Sequence, residues 1–383
     1  MRVTHVITRL IVGGAQENTI ASVLGLRAFP DLEVHLVSGP THGPEGSLEN
    51  GVRSVPGLFT LIPELVRPVR PWQDWIAYRK LIRLFQSTPP DIVHTHSGKA
   101  GILGRLAAHR AGVRVVVHTI HGPSFGPFQG AIANALFSAA ERRAGAVTTH
   151  FVTVADAMAR QYLAAGIGSP AQYTRILSGF ELKPFLAARN DPALRARLGL
   201  SSQDVVVGKI ARLFELKGHD ELFAIAPGLV ERCPKLKFLL VGGGEWRARF
   251  EARARDMGLQ DHFIFTGLVT PAEVPALIGI MDALVHLSRR EGLARALPQA
   301  LAAGKPVIAF DCDGANEVCF QEETGFLVPP GDLVTLSERI LQLAQDPALG
   351  RRLGARGQSL VRELFPVERM VQDLYALYRR LAA

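Results

Sequence analysis

The fold is decided by residues 205–257, which read VVVGKIARLFELKGHDELFAIAPGLVERCPKLKFLLVGGGEWRARFEARARDM. Two apolar, β-branched runs, at 205–211 and 237–241, each lead through glycine into a stretch with helical spacing, at 220–231 and 246–257. Because the runs do not alternate apolar with polar residues, both strands are expected to be buried on two faces. This repeated strand–glycine–helix unit predicts a parallel sheet with helices on both sides.

The same unit recurs on both sides of this stretch. Further strands are predicted at 2–7, 33–38, 92–95, 113–118, 151–154, 263–266, 283–286 and 306–310. Helices are predicted at 16–26, 72–85, 102–111, 131–144, 156–165 and 274–281. The alternation breaks once, over 176–208, where Pro184 and Pro192 lie among turn-forming residues. We therefore predict an α/β protein with two doubly wound Rossmann-like domains, at 1–178 and 179–365. A C-terminal helix at 366–383 is predicted to pack back on the first domain.

Composition excludes several classes of protein. Of the 383 residues, 48% are hydrophobic and 20% are charged, which excludes wholesale disorder. The three cysteines are too few for a disulfide framework and favour a reducing cytoplasm. The first residues meet Arg9 and two glycines soon after a short apolar run, which indicates a strand rather than a signal peptide. No run reaches about 18 uninterrupted apolar residues, so no membrane span is expected.

The net charge of +8 is concentrated in the first half of the chain. Up to Leu200 there are 21 basic and 12 acidic residues, a net charge of +9, and the remainder has a net charge of −1. A basic half can face anionic lipid, a phosphorylated substrate or nucleic acid, or it can simply keep the protein soluble. Nucleic acid is not expected as a partner, because no basic helix with interleaved exposed aromatic residues stands out.

Residues 58–85 mix apolar and aromatic residues with arginine and lysine. A basic amphipathic stretch of this kind is typical of reversible docking to an anionic membrane surface. The alternative is an ordinary surface helix whose tryptophan and isoleucine side chains face the core.

Two histidine clusters follow strands of the first domain. His94 and His118 fall within strand patterns, which predicts buried, hydrogen-bonded imidazoles. His96 and His121 fall just past the predicted strand ends, where a side chain can face a ligand. Four histidines raise the alternative of a zinc site. Neither HExxH nor paired cysteines accompany them, so no metal is expected.

Glycine pairs and loops also suggest phosphate contacts. Gly13 and Gly14 end the first strand and would let the backbone approach a ligand at the start of the next helix. A turn that simply needs glycine explains them equally well, and the GxGxxG dinucleotide fingerprint is absent. The stretch HSGKAG at 96–101 is not a phosphate loop, because Val93 and Ala100 stand where glycine and Ser/Thr are needed.

Two cations follow the strand at 205–211 in the second domain. Arg212 comes directly after that strand, and Lys217-Gly218 follows five residues later. Arginine can bind two oxygens with its fork while lysine adds a point charge, so this pair suits a diphosphate. An exposed pair of strand-end cations explains them equally well. The stretch Gly242–Gly244 repeats the strand–glycine–helix pattern.

A further candidate site begins at Glu291, which precedes Gly292-Leu293. Gln299 follows in the next helix, and Pro298 is predicted in its first turn. Free amides at a helix N-terminus would suit a phosphate. The oxygens of Glu291 and Gln299 would suit sugar and ribose hydroxyls.

In order and spacing these motifs resemble glycosyltransferases of family 4 with the GT-B fold, over nearly the whole chain. The matching stretches are GGAQ, DIVHTHSGKAG, VVHTIHG, KIARLFELKGH, LLVGGGEWR, FTGLV, EGLARALPQALAAGKPVIA and GANEV with ETGFLVPPGD. The resemblance implies two domains facing a central cleft, and an enzyme that takes a sugar from a nucleotide-sugar donor with retention of anomeric configuration. It implies no cofactor and no metal, because side chains and helix termini neutralise the diphosphate.

The resemblance also implies roles for single residues. Gly14 would approach the donor phosphates, and His121 would contact the donor sugar near the reacting carbon. Arg212 and Lys217 would hold the diphosphate, and Glu291 would orient the donor sugar. The other donor-binding residues implied are Gly13, Gly243, Gly292, Leu293 and Gln299. The family has a ribose-binding glutamate at the position of Gln299, so this chain keeps the hydrogen bonds and loses the charge.

On the acceptor side, the resemblance implies that the first domain takes a lipid-linked or cell-surface glycan, with His96 and Lys99 as candidates. The protein is expected in the cytoplasm, with peripheral contact at the inner face of the membrane, and a UDP-sugar is the preferred donor. Two alternatives stay open. One is a sugar-nucleotide 2-epimerase of the same architecture, and the other is a catalytically silent nucleotide-sugar-binding protein. The donor sugar, the acceptor, the linkage and the oligomeric state are not predicted.

Overall fold

The computed structural model describes residues 1–43, 46–126 and 128–383, which form two compact units. Unit 1 consists of Met1–Phe180 together with Val367–Ala383, and unit 2 consists of Glu181–Pro366. The sequence placed the boundaries after residues 178 and 365. Each unit is an α/β structure built on one parallel sheet, as the strand–helix alternation predicts.

The sheet of unit 1 has seven parallel strands in the order β3-β2-β1-β4-β5-β6-β7. Its strands are β1 (Arg2–Ile7), β2 (Glu33–Ser38), β3 (Phe59–Leu61), β4 (Ile92–His96), β5 (Val115–Ile120), β6 (His150–Thr153) and β7 (Tyr173–Arg175). Its helices are α1 (Gly14–Leu26), α2 (Glu49–Arg53), α3 (Pro71–Ser87), α4 (Gly98–Arg110), α5 (Ala131–Gly145), α6 (Asp156–Ala164) and the C-terminal α15 (Val367–Ala382). The strand order reverses between β1 and β4, where open α/β sheets bind ligands at their carboxyl ends.

Two apolar clusters cover the two faces of this sheet. On one face α1 and α15 pack over β1, and Tyr378 of α15 is fully buried there. A Cβ added to Gly25 of α1 would lie 2.4 Å from a methyl of Val371, so glycine lets the two helices approach closely. On the other face α3 and α4 bury Leu81 and Ala107 against Val6 and Val93.

The sheet of unit 2 has six parallel strands in the order β10-β9-β8-β11-β12-β13. Its strands are β8 (Val205–Ile210), β9 (Leu236–Val241), β10 (Phe263–Gly267), β11 (Ala283–His286), β12 (Val307–Phe310) and β13 (Gly325–Val328). Its helices are α7 (Lys183–Leu186), α8 (Pro192–Arg197), α9 (His219–Arg232), α10 (Arg247–Asp256), α11 (Val274–Gly279), α12 (Ala296–Ala302), α13 (Leu333–Gln345) and α14 (Pro347–Leu364). Strands β8 and β11 are neighbours, so their following loops lie side by side.

The ten predicted strands and the predicted helices are present, with ends shifted by a few residues. The sequence pattern does not predict β3, β7 and β13, which have three or four residues each, nor α13 and α14. In α14, glycines interrupt the helical signal because they are needed for close packing. A Cβ on Gly354 would lie 1.9 Å from the Gly304 carbonyl oxygen. Among the described residues no helix combines the length and apolarity needed to cross a bilayer.

Candidate active site

The first candidate cluster lies at the carboxyl ends of β8 and β11 in unit 2. Arg212 and Lys217 follow β8, and Glu291 follows β11. The two loops are tied together because the Leu216 carbonyl accepts hydrogen bonds from the Arg289 amide at 2.9 Å and the Ser288 hydroxyl at 3.2 Å. The lysine predicted from one loop and the carboxylate predicted from the other are therefore brought to the same place.

Gly218 is needed between these loops for two reasons. Its φ of 69° lies in the left-handed region, and a Cβ there would lie 2.0 Å from the Leu287 carbonyl oxygen. The tight turn positions Lys217, whose Nζ lies 2.5 Å from Glu291 Oε1. Both side chains are largely shielded from solvent, with exposed fractions of 19% and 29%.

The electrostatics of Glu291 keep it ionised. Burial by itself raises the pKa of this carboxyl, but the positive charge of Lys217 and its hydrogen bond outweigh it. The net pKa therefore lies below its ordinary value. The Glu291 amide donates to the Asp313 carboxylate at 2.7 Å, which fixes the backbone of this loop. An ionised acceptor held in this way can bind sugar hydroxyls.

Arg212 lies on the surface of unit 2 beside a glycine loop. Its guanidinium is 5.7 Å from the Phe214 ring centre, and its carbonyl oxygen is 3.0 Å from His219 Nε2. The Gly243 carbonyl accepts from the Leu213 amide at 2.9 Å. A Cβ on Gly242 would lie 2.4 Å from the Ala211 carbonyl oxygen, so the glycines let this loop contact the Arg212 segment.

The stretch that follows Glu291 leads into α12. Gly292 and Leu293 are buried and lie in a loop before α12, which begins at Ala296 and has seven residues. Their amides are therefore separate from those of the helix N-terminus, and their contact with the phosphates stays a prediction. The Gly292 carbonyl accepts from the Gly314 amide at 3.0 Å. Gln299 is half-buried on α12, one turn into the helix, and Pro298 occupies the first turn as predicted.

Sequence reasoning missed a buried lysine close to this cluster. Lys209 of β8 is fully buried, and its Nζ has no hydrogen-bond partner among the described residues. Burial, with a further contribution from Lys217, lowers the pKa of Lys209 to about 7. Burial also lowers the pKa of His219 and His286 to about 3 each, with Lys209 acting in the same direction. The signal in the sequence was a single lysine inside an otherwise apolar strand run.

The second candidate cluster lies in unit 1 and consists of connected side chains from β1, β4, β5, α15 and the loop after β5. In order along their hydrogen bonds, the members are Thr119, His94, Tyr378, His5, His96 and His121, called here the imidazole chain. His94 Nε2 is 2.6 Å from the Thr119 hydroxyl, and His94 Nδ1 bonds to the Tyr378 hydroxyl. That hydroxyl is 3.3 Å from His5 Nε2.

The imidazole chain continues toward the carboxyl ends of the strands. His5 Nδ1 lies 2.9 Å from His96 Nε2, and His96 Nδ1 lies 3.0 Å from His121 Nε2. His121 is half-buried in the loop after β5, where a ligand of this sheet would lie. One nitrogen from each of His5, His94 and His96 lies within 4.8 Å of the others, a spacing compatible with a metal ion. A cation there would have to displace the hydrogen bonds that these nitrogens make to one another and to Tyr378.

The structure confirms one histidine prediction and corrects another. His94 and His118 are buried and hydrogen-bonded, the latter to the Thr95 hydroxyl at 2.9 Å, as predicted. The placement of His96 past its strand is wrong, because β4 runs one residue further and His96 is its buried last residue. Both of its ring nitrogens are bonded within the protein, so no exposed ring is left for the acceptor role predicted for it.

Lys99 and the first glycine pair also lie in unit 1. Lys99 Nζ is 2.5 Å from an Asp74 carboxylate oxygen, and it also bonds the Pro68 carbonyl. The structure therefore ties Lys99 to the start of α3. Gly13 precedes α1 with a φ of 172°, an extended conformation that any residue adopts, and Gly14 is the first residue of that helix. The phosphate role of this pair stays a prediction.

The chain matches two family models, related sequences and solved structures. Residues 12–181 match the family described as Glycosyltransferase Family 4, and residues 190–360 match Glycosyl transferases group 1. EpsD of Bacillus subtilis (strain 168) is 30% identical over 80% of this chain and 81% of its own length. A UDP-Gal:alpha-D-GlcNAc-diphosphoundecaprenol alpha-1,3-galactosyltransferase of Escherichia coli is 26% identical over 98% of this chain and 96% of its own. The crystal structure of Anabaena HepE in complex with UDP superposes with a TM-score of 0.81 at 21% identity, covering 99% of this chain and 100% of that one.

Two parallel-sheet, Rossmann-like units and these structural relatives define a glycosyltransferase of the GT-B fold. The chain belongs to the group 1 glycosyltransferases of family 4. It is therefore an enzyme that uses a nucleotide-sugar donor, as the motifs predicted. The comparisons support the transferase and give no support to the 2-epimerase.

Proposed function

We propose that this protein is a retaining glycosyltransferase that transfers a sugar from a UDP-sugar to a lipid-linked or cell-surface glycan, without a metal ion. The observation that carries the proposal is the ion pair of Lys217 with Glu291 at the carboxyl end of the unit 2 sheet. This pair offers a cation for a diphosphate next to an ionised acceptor for sugar hydroxyls, and Arg212, which also follows β8, is proposed to add a second cation.

The proposed chemistry needs little more than these charges. The bond from the anomeric carbon to the diphosphate oxygen breaks, and that oxygen keeps the electron pair. A bond to the acceptor hydroxyl oxygen forms on the same face of the sugar, and the hydroxyl proton passes to the departing diphosphate oxygen. Lys217 and Arg212 would stabilise the charge that develops on the diphosphate, which is commonly the largest catalytic contribution. Because these two cations do the work of a divalent ion, no metal is proposed.

The remaining residues would bind and orient the donor. Glu291 would orient the sugar, and His121 would contact it near the anomeric carbon. Gln299 would bond the ribose hydroxyls. Backbone contacts to the phosphates are assigned to Gly13, Gly14, Gly243, Gly292 and Leu293. The choice of a UDP-sugar and a lipid-linked acceptor is supported by the Escherichia coli relative, whose name carries UDP-Gal and a diphosphoundecaprenol-linked GlcNAc.

The surface of α3 supports a peripheral position at the inner face of the membrane. Trp72 and Trp75 stack at 5.1 Å and are 71% and 49% exposed, and Val69 beside them is also exposed. The alternative that these tryptophans face the core is wrong, since Ala77, Leu81 and Phe85 fill that face of the helix. Arg79 lies over the Trp75 ring at 5.5 Å, and several other basic residues follow the same segment. Exposed tryptophans flanked by arginine suit an anionic lipid surface.

A thermal-shift panel tests the donor. UDP-, GDP- and ADP-sugars are added separately to the protein with and without a chelator. A ligand at 100 times its dissociation constant stabilises a protein by about 2.7 kcal/mol. The sugar nucleotide whose base the protein binds should therefore give the largest increase in melting temperature. We expect a UDP-sugar to give it, with no change on chelation. A larger shift with another base, or a shift abolished by the chelator, would contradict the proposed donor chemistry.

A transfer assay tests the reaction. The protein is incubated with the preferred donor and an undecaprenyl-diphosphate-linked sugar, and the anomeric configuration of the product is read by NMR. Retention is expected, and inversion would overturn the proposed mechanism.

Co-sedimentation with anionic vesicles tests the membrane surface. It is compared for the wild type, the double variant Trp72→Ala/Trp75→Ala and the control Val334→Ala, which changes an exposed residue of unit 2. Salt-sensitive binding that only the tryptophan variant loses is expected. Equal binding by all three proteins would remove this surface from the proposal.

A further inference from the structure

The hydrogen bonds of the imidazole chain in unit 1 are linked, so the direction of one bond determines the direction of the others. Its three interior rings are neutral, because burial lowers the pKa of His5 to about 3 and that of His94 and His96 well below the ordinary value. A neutral imidazole has one donor nitrogen and one acceptor nitrogen. Each ring therefore accepts on one side and donates on the other. Because the buried Tyr378 hydroxyl hydrogen also needs an acceptor, all the hydrogen bonds point in the same direction along the chain.

The end of the chain at Thr119 decides which direction is preferred. If the bonds point from His121 toward Thr119, the last donor is His94 Nε2, and the Thr119 hydroxyl hydrogen has no acceptor among the described residues. If they point the other way, the Thr119 hydroxyl donates to His94, and every proton from Thr119 to the bond between His96 and His121 has an acceptor. A buried donor without an acceptor is costly. The second direction therefore predominates, by about 5- to 150-fold.

This direction has one consequence at the other end. His94 Nδ1 donates to the Tyr378 oxygen, and the Tyr378 hydroxyl donates to His5 Nε2. His5 Nδ1 then donates to His96 Nε2, and His96 Nδ1 donates to His121 Nε2. His121 must accept at Nε2, so a neutral His121 carries its own proton on Nδ1. The C-terminal helix takes part in this, because it supplies Tyr378.

We propose that the imidazole chain fixes His121 as the Nδ1–H tautomer, with Thr119 and Tyr378 acting as positioning residues. His121 Nε2 is occupied by the His96 proton and is not available as a base. Nδ1 is the hydrogen-bond donor of the ring. This step rests on the proposed function: if His121 contacts the donor sugar, it does so as a donor to a sugar or phosphate oxygen.

Histidine NMR on the full-length protein tests the tautomer directly. The chain has 12 histidines, and ¹⁵N labelling of histidine distinguishes protonated from unprotonated ring nitrogens. The His121→Gln variant assigns the His121 signal by its loss. We expect Nδ1 of His121 to be protonated and Nε2 to be unprotonated. A His121 that is mainly Nε2–H would overturn the proposal.

Two pairs of variants separate the positioning role from a packing role. Thr119→Val removes the hydroxyl that sets the direction, whereas Thr119→Ser retains it. Tyr378→Phe cuts the chain. Its matched control on the same helix is Tyr375→Phe, which loses only a hydroxyl bonded to Asp31 at 3.1 Å. We expect Thr119→Val and Tyr378→Phe to reduce the tautomer ratio of His121 by about 5- to 150-fold, giving comparable populations. Thr119→Ser and Tyr375→Phe should keep the wild-type ratio.

These measurements do not depend on turnover. If a folded Thr119→Val and a folded Tyr378→Phe both keep the wild-type ratio, the positioning role is wrong, whatever their activity. Addition of UDP to the labelled wild type, and then of a UDP-sugar, tests the proposed contact between His121 and the donor sugar. A His121 signal that keeps the predicted tautomer but does not respond to the UDP-sugar leaves the imidazole chain correct and contradicts the proposed sugar contact. Activity should fall only about twofold in the two chain-breaking variants, because about half of their molecules keep the Nδ1–H form.

Discussion

The two units bury polar groups in opposite ways. In unit 1 the buried imidazoles of His5, His94 and His96 are neutral, and both ring nitrogens of each have a partner. In unit 2 Lys209 is buried just as fully, yet its ammonium has no hydrogen-bond partner among the described residues. Neutral polar groups lose little on burial when donors and acceptors match, whereas a buried charge needs an opposite charge. An unpartnered cation close to Lys217 and Glu291 fits a unit that binds an anion.

Unit 1 also contains a buried charge, and it offers the largest effect. Arg105 and Glu141 are both fully buried, and their side chains pair at 2.5 Å. Removing one partner of such a pair leaves an uncompensated charge, which costs about 3–5 kcal/mol. We therefore expect Arg105→Met to lower the free energy of unfolding by about that amount in chemical denaturation. The control Lys80→Met, at a partly exposed pair with Glu64, should cost less than about 1 kcal/mol. Equal effects of the two substitutions would show that burial does not determine how much stability is lost when one partner of an ion pair is removed.

The next effect concerns the charges of unit 2. Lys217→Ala removes the cation that pairs with Glu291 and is proposed to stabilise the leaving group. By analogy with removing one fixed donor from an active site, we expect turnover to fall about 10²- to 10³-fold, and the same for Arg212→Ala. Steady-state kinetics with a UDP-sugar measure this, with the exposed Lys235→Ala as the control. Near-normal turnover of both Arg212→Ala and Lys217→Ala would refute the assignment.

Replacing Lys209 is expected to change the free energy of unfolding in the opposite direction from replacing Arg105. Its folded pKa of about 7 lies below the ordinary value of 10.5, so the unfolded chain binds a proton more readily between these two values. The free-energy cost of burying the charged Lys209 ammonium is therefore absent at high pH. It grows as the pH falls from about 10.5 to about 7 and reaches its full value below that. Replacing buried charge by an apolar side chain is often neutral or stabilising by about 1–4 kcal/mol. We expect Lys209→Met to stabilise within that range at pH 6 and by less at pH 9.

Unfolding measured at both pH values checks the Lys209 prediction. Lys237→Met is the control, because Lys237 lies on the neighbouring strand β9 but reaches the Asp261 carbonyl oxygen at the surface. It should show no comparable pH dependence. Destabilisation by Lys209→Met at both pH values would mean that the ammonium has a partner which the described hydrogen bonds do not include.

Much of the fold could be predicted because buried parallel strands consist of continuous apolar residues. Runs such as those ending at Ile210 and Val241 have this character, and they became β8 and β9. Arg212, Lys217 and Glu291 could be chosen as site candidates because charged residues directly after such strands lie at the ligand-binding edge of the sheet. Their residue types and local positions were enough for that step.

The contacts among these residues could not be predicted in the same way. Lys217 and Glu291 are 74 positions apart, and they meet because β8 pairs with β11, which depends on strand order rather than on local pattern. Tyr378 lies 284 positions from His94, and it joins the imidazole chain only because α15 packs on the unit 1 sheet. His96 was misplaced because the end of a strand depends on the neighbouring strand as well as on its own sequence. Here Thr119 of β5 pairs with His96, which extends β4 by one residue beyond the predicted end.

The smallest effect concerns the departure of Gln299 from the family pattern. The family's glutamate at this position would accept ribose hydroxyls with a charge, and charge-assisted hydrogen bonds are roughly twice as strong as neutral ones. Gln299→Glu is therefore expected to tighten UDP binding by about 1 kcal/mol, or about fivefold in dissociation constant, measured by calorimetry. Gln358→Glu provides a control amide in unit 2, since its side chain donates to the Ala302 carbonyl at the other end of α12. If Gln299→Glu weakens UDP binding instead, repulsion from the diphosphate exceeds the gain at the ribose, and Lys217 and Arg212 neutralise the phosphates less completely than proposed.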